Sequence, residues 1–196
     1  MPHLGDIEKA TLQILVAHKV LEHDRLKLIL DDIKSDFPQA TDITIEESFR
    51  RINTRMRIQN LEIKTVIFQE SPGNSKRFHC LTNVSDDLIA QKFGSKLTPD
   101  EISFFKTVAF YVLDSDFIGQ TEIEEMKPKG FDNQAIGALM NKFVYEKWFQ
   151  RNARGYWELA PRSYAELRTA FEANIFETDE NDADTRISKL PQIIFY

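Results

Sequence analysis

Cys80 is the only cysteine in this chain of 196 residues. A disulfide framework needs pairs and a cysteine-based zinc site needs several, so both are excluded, and a reducing compartment, cytosolic or nuclear, is expected. No apolar run approaches the roughly 18 residues that cross a membrane, and the N-terminus lacks the basic-then-apolar order of a signal peptide. The expectation is a soluble intracellular protein with no membrane partner. Positive charge is also in short supply. With 25 basic against 31 acidic side chains the net charge is −6, so bulk charge does not drive nucleic-acid binding. The deficit is uneven: residues 1–97 balance at net 0, residues 98–175 carry −3 and the last 21 carry −3. Any polyanion surface therefore belongs to the first half.

Apolar residues make up 42% of the chain, enough for one large or two small packed domains. The stretch from Asp132 to Leu159 decides between them. Ile136, Leu139, Met140, Phe143 and Val144 recur at helical steps behind an Asp132 cap. The strand-like run Trp148 to Arg151, an Asn-Ala-Arg-Gly turn and Tyr156 to Leu159 follow at once. A helix running into a tight hairpin is the second half of a winged helix. The same order occurs earlier. Helices are expected over residues 6–19 and 24–36, the latter stopped by Phe37-Pro38. Thr44 and Glu47 form a capping box for a third helix with Ile45, Phe49, Ile52 and Met56 inward. Leu61 to Phe68 and Arg77 to Thr82 then pair around Ser71-Pro-Gly-Asn, a type II turn.

The fold class is thus mainly α with small β-hairpins, an α+β arrangement of tandem winged helices. Winged helix A covers residues 1–83, and 84–97 supply a connecting helix from Ser85 to Phe93 ended by Gly94. Winged helix B covers 98–175. It opens with a second capping box, Thr98-Pro-Asp-Glu101. That helix carries Ile102, Phe105, Val108, Ala109 and Val112; Phe117-Ile-Gly is extended, Thr121 caps a brief helix, and Pro161 starts the last one. Residues 176–196 read as an acidic linker or tail, because the run from Glu177 to Thr185 is too polar to order itself.

No catalytic pattern stands out. Ser71 to Lys76 lacks the second glycine of a phosphate loop, and His79-Cys80 on a strand points its two side chains to opposite faces. His3, His18 and His23 have no zinc-ligand spacing. Binding is better supported. Arg50, Arg51, Arg55 and Arg57 lie on the third helix outside its apolar stripe, with Lys76 and Arg77 near the hairpin tip. In helix-turn-helix proteins the corresponding helix enters the major groove. The same six cations also read as a solvated face balanced by Glu46, Glu47 and Glu62. In the second module Phe104, Phe110, Tyr111, Phe117, Trp148, Phe149, Tyr156 and Trp157 exceed what one apolar stripe buries, which favours a protein–protein surface. Candidate partner contacts are Leu12 and Leu15 on the first helix, and Phe104, Phe117, Trp148, Tyr156 and Trp157.

RINTRMRIQNLEIK (51–64), LTPDEISFFKTVAFYVLDSD (97–116), KFVYEKWF (142–149) and GYWELAPRSYAEL (155–167) resemble the non-SMC element one family, subunits of the SMC-five/six chromosome-maintenance complex. The resemblance runs over nearly the whole chain. It implies tandem winged helices, a MAGE-type winged-helix partner, a kleisin partner, indirect contact with the SMC heads, weak DNA binding, a nuclear location and a role in DNA repair by recombination. It also implies a RING-type ubiquitin ligase in the full-length family. There a zinc-binding RING finger follows the last helix; here the sequence reaches Tyr196 where that finger begins, and the expectation is a chain trimmed at the domain boundary. These residues are accordingly expected to hold no metal or cofactor and to be no enzyme, zinc belonging only to the absent finger. The contrasting reading is a free-standing winged-helix transcriptional regulator using the first module's third helix.

Overall fold

The computed structural model of the chain describes residues 4–36, 43–71, 73–84, 97–178 and 182–196. Two compact units result, one of residues 1–85 with 191–196 and one of residues 86–190. Among the described residues no helix is long and apolar enough to cross a membrane.

In the first unit α1 (Asp6–His18) places Asp6 and Glu8 in its first turn, where the helix dipole favours them, and stops at Lys19 with φ 64°. The strand β1 (Val20–Glu22) follows directly, then α2 (His23–Asp36) and α3 (Ile45–Met56). After a 3-10 turn and Asn60 at φ 56°, β2 (Leu61–Ser71) and β3 (Asn74–Asn83) form the long hairpin. Ile7, Leu15, Leu26, Leu30, Phe49, Ile52 and Ile63 make one buried cluster. The hydroxyl of Thr44 accepts the Glu47 amide at 3.1 Å. The expected return contact is absent, because the Glu47 carboxylate takes Arg51 at 2.9 Å instead. Gly73 has the positive φ that a type II turn requires at its third position; Pro72 lies outside the described residues, as do Phe37-Pro38, the connecting helix expected over Ser85–Phe93 and Gly94.

The second unit repeats the plan. Helix α4 (Pro99–Ser115) carries a complete capping box at Thr98 and Glu101, and it ends at Asp116 with φ 69°. Ile118 bridges to Trp157, as β1 bridges to β3 in the first unit. Helices α5 (Gln120–Glu125) and α6 (Asn133–Tyr145) come next. Lys147 at φ 64° then turns the chain into β4 (Phe149–Arg151) and β5 (Trp157–Leu159). Left-handed residues other than glycine thus recur after the first and third helices of both units. The short helix α5 is capped at Gly119, without a side-chain bond, and not at Thr121. Ile118 spends its amide and carbonyl on Trp157 at 2.8 and 3.0 Å, so the helix can begin only just beyond it. Helix α7 (Pro161–Thr178) closes the unit and adds Leu167 and Phe171 to a core that includes Phe104, Phe105, Val108, Ile136, Phe143, Trp148, Phe149 and Trp157.

The segment after residue 176 departs most from expectation. Helix α7 continues to Thr178, α8 (Ala183–Ser188) follows, and Arg186 pairs with Asp114. Gln192–Phe195 is then a strand, β6, antiparallel to β2 in the first unit. The sheet order is β1–β3–β2–β6. Of the polar run, the described residues 177–178 end α7 and 183–185 begin α8, and the apolar residues beyond it meet an open sheet edge.

Candidate functional site

The basic face of the first unit is built by α3 and the hairpin. Phe49, Ile52 and Asn53 hold α3 on the sheet, which leaves Arg50 and Arg51 facing solvent and Arg55 half-buried. Acids meet most of these cations. Glu47 lies 3.6 Å from Arg50 and 2.9 Å from Arg51, and Arg51 also reaches the buried Glu8 at 3.4 Å. The bond from Glu47, with added attraction from Glu8, raises the Arg51 pKa. Arg57 grips Glu62 at 2.6 Å and also donates to the Tyr196 backbone oxygen at 3.2 Å. Lys76 pairs with Glu70 at 2.6 Å, and that bond raises its pKa. Arg77 is exposed and makes no ion pair among the described residues. Arg55 buries one guanidinium nitrogen without an acceptor. The exposed pairs Arg50–Glu47, Arg51–Glu47 and Lys76–Glu70 are individually weak, whereas Arg51 and Arg57 also meet the buried carboxylates of Glu8 and Glu62.

Beside this face runs a hydrogen-bonded relay that sequence spacing does not reveal. His23 Nδ1 lies 2.9 Å from His79 Nε2, and His79 Nδ1 lies 2.8 Å from the Thr65 hydroxyl. Thr65 in turn meets the Tyr196 hydroxyl at 2.8 Å. Burial pushes the His79 imidazole down to about 3, assisted by the charges of His23 and Arg77. His23 has no spacing partner along the sequence; β3 brings one from 56 residues away. The pair lacks a third metal-binding side chain, since no group of three or more His, Cys, Asp or Glu forms among the described residues.

The second unit absorbs most of its aromatic load. Phe105 meets Phe143, Trp148 and Phe149 edge-on at 5.2, 5.7 and 5.6 Å. Arg162 lies 4.1 Å above Trp148 and Arg151 lies 3.8 Å above Trp157, each covering an indole face. The partner contacts expected at Phe104, Trp148 and Trp157 are therefore corrected: all three are buried. The reason is α7, a fourth helix whose Leu167 and Phe171 join the buried cluster that holds these rings. Leu15 is likewise buried in the first unit, and Leu12 is partly covered by the same core. Phe117 and Tyr156 alone of the set stay open, at 42% and 39% exposure. Their rings stack 5.0 Å apart at 24°.

The model of the family described as the Nse1 non-SMC component of the SMC5-6 complex matches residues 8–135 and 113–167. Among solved structures the chain is similar to one in the Nse1-Nse3-Nse4 complex, with a TM-score of 0.73 and 19% identity over 91% of this chain and 76% of that chain. At that identity the likeness is one of fold. No curated protein matches the sequence. With the family model spanning both winged helices, the chain belongs to the Nse1 family of non-SMC components of the SMC5-6 complex.

Proposed function

We propose that this chain is a scaffold subunit of the SMC5-6 chromosome-maintenance complex. Its winged helices dock a MAGE-type winged-helix subunit, support that subunit's hold on a kleisin, and lend weak DNA affinity to the assembly. The SMC heads are reached only through these partners. Family membership over residues 8–167 carries the reading, and the fold shared with a chain of the Nse1-Nse3-Nse4 complex supports it. A nuclear location and a part in recombinational DNA repair follow from the assignment. Ubiquitin transfer, which the resemblance implies for the full-length family, depends on a zinc-binding finger. The 196 residues hold one cysteine, so they do not themselves supply that finger.

Phe117 and Tyr156 are the docking side chains we assign to the second unit. A stacked, half-exposed aromatic pair offers a partner large apolar area at low entropic cost, as interface anchors do. The test is reconstitution with purified MAGE-type and kleisin subunits at micromolar concentration. A single co-eluting species on size exclusion is expected; separate elution ends the reading.

A further inference from the structure

Ile118 and Trp157 exchange both backbone bonds, at 2.8 and 3.0 Å. Side chains alternate along paired strands, so Phe117, opposite Glu158, and Tyr156, opposite Gly119, project away from the buried Ile118 and Trp157. That alternation keeps these two rings open while their neighbours are covered. Carboxylates flank them. The Glu122 carboxylate and the Tyr156 ring lie 2.7 and 3.4 Å from where a Cβ of Gly119 would stand, which sets the acid beside the ring. Glu158 gives one oxygen to the Gln150 side-chain amide at 2.7 Å and keeps the other. Asp116, also exposed, directly precedes Phe117. Among the described residues Asp116 and Glu122 make no ion pair, and no cation lies over either ring. Of the hairpin's cations, Arg151 lies over Trp157 on the opposite face and Arg154 sits in the turn before Tyr156.

The same unit shows what such a set of side chains holds. Arg162 lies 4.1 Å over the Trp148 ring, its Nε donates to Glu166 at 2.6 Å, and its Nη1 lies 3.7 Å from Glu146. One aromatic face and two carboxylates there grip one guanidinium. We propose that the Phe117–Tyr156 pair receives an arginine of the docked subunit, its guanidinium stacked on an exposed ring and its N–H groups on the carboxylates of Glu122 and Glu158. This rests on the reading of the two rings as docking side chains. A planar guanidinium suits the site better than an ammonium, because it stacks on a ring and forks to two acids at once. Residues 98–175 carry net −3, so the field of the unit also favours a cation.

Two experiments use the whole chain and the purified MAGE-type subunit. In the first, Glu122→Gln with Glu158→Gln keeps the shape of the site and removes its charge. Titration calorimetry is expected to show affinity roughly tenfold weaker than wild type and less sensitive to salt. Added to Phe117→Ala with Tyr156→Ala, the same changes are expected to cost little more, because rings and acids hold one group. In the second, the partner's arginines are labelled with an arginine-selective dicarbonyl and read by mass spectrometry. One of them is expected to be shielded in the complex with the unaltered chain and to label again in the complex with the Gln variant. Weaker binding on loss of the rings, with the Gln variant as tight as wild type, overturns the arginine and leaves the docking reading standing. Strict additivity, or a complex in which every partner arginine labels as it does free, does the same, and so does an arginine that stays shielded against the Gln variant. If neither pair of changes weakens binding, the docking reading of Phe117 and Tyr156 falls, and the arginine with it.

Discussion

The Asn53 side chain holds both backbone groups of Ile63: its Oδ1 accepts the Ile63 amide at 2.7 Å and its Nδ2 donates to the Ile63 carbonyl at 2.9 Å. Both residues are buried. On this edge of β2 the pairing with β6 begins one residue later, at Lys64, so one amide of α3 stands in for a strand where no strand arrives. Replacing Asn53 by Ala strands a buried donor and a buried acceptor, and about 2–4 kcal/mol of stability is expected to go with them. Chemical denaturation of the two proteins side by side measures it; a loss below about 1 kcal/mol contradicts the role.

His79 predicts a pH dependence. Its folded pKa, about 3, lies below the value of an unfolded histidine, so the unfolded chain takes the proton first. Stability from this group is complete above about pH 6.5 and drains as pH falls towards 3, with a slope approaching ~1.4 kcal/mol per pH unit. Urea titrations between about pH 7 and pH 4.5 read it before most carboxylates contribute. His79→Gln is expected to flatten the slope.

The two capping boxes are a matched pair with different outcomes. Thr98 and Glu101 exchange both bonds, whereas Thr44 makes only one. Each Thr→Ala change removes one hydroxyl acceptor and should cost on the order of 1 kcal/mol. The second bond at Thr98 comes from its backbone amide, so Glu101→Ala is the change that removes it, and no loss in thermal unfolding of Glu101→Ala would contradict the reciprocal box.

Phe105→Ala removes the ring on which Phe143, Trp148 and Phe149 converge. A cost of about 3–5 kcal/mol is expected. Exchange measurements should localise the loss to residues 97–178 and leave protection of the β2–β3 ladder intact.

Phe117→Ala with Tyr156→Ala separates docking from stability. Both rings are well exposed, so unfolding should shift by less than about 1–2 kcal/mol. Titration calorimetry against the MAGE-type subunit should show affinity falling at least tenfold, the size expected of a central aromatic anchor, about 2 kcal/mol or more. Unaltered affinity removes these residues from the interface.

Much of the fold was legible because its signals are local. The Phe49–Ile52 spacing, the Thr98 and Asp132 caps and the turn before Tyr156 each act within a few residues of chain, and the structure forms each of them. The candidate sites were less legible. The cations Arg50, Arg51 and Arg57 and their balance by Glu47 and Glu62 could be read, but the 3-10 turn that carries Arg57 and the reach of Glu8 and Tyr196 could not. An aromatic surplus likewise cannot say which rings are covered, since that depends on a helix arriving from residues 161–178.

The amino-acid sequence by itself determined that this chain builds two winged helices in tandem, because periodicity, caps and turns are short-range and each module repeats them. Only the tertiary structure decided where Gln192–Tyr196 goes, that His23 meets His79, and which aromatics stay at the surface. Those outcomes depend on an open strand edge, a strand that carries His79 to the start of α2 and a closing helix. Such features exist only after distant segments have met, and no local preference of the residues concerned encodes them.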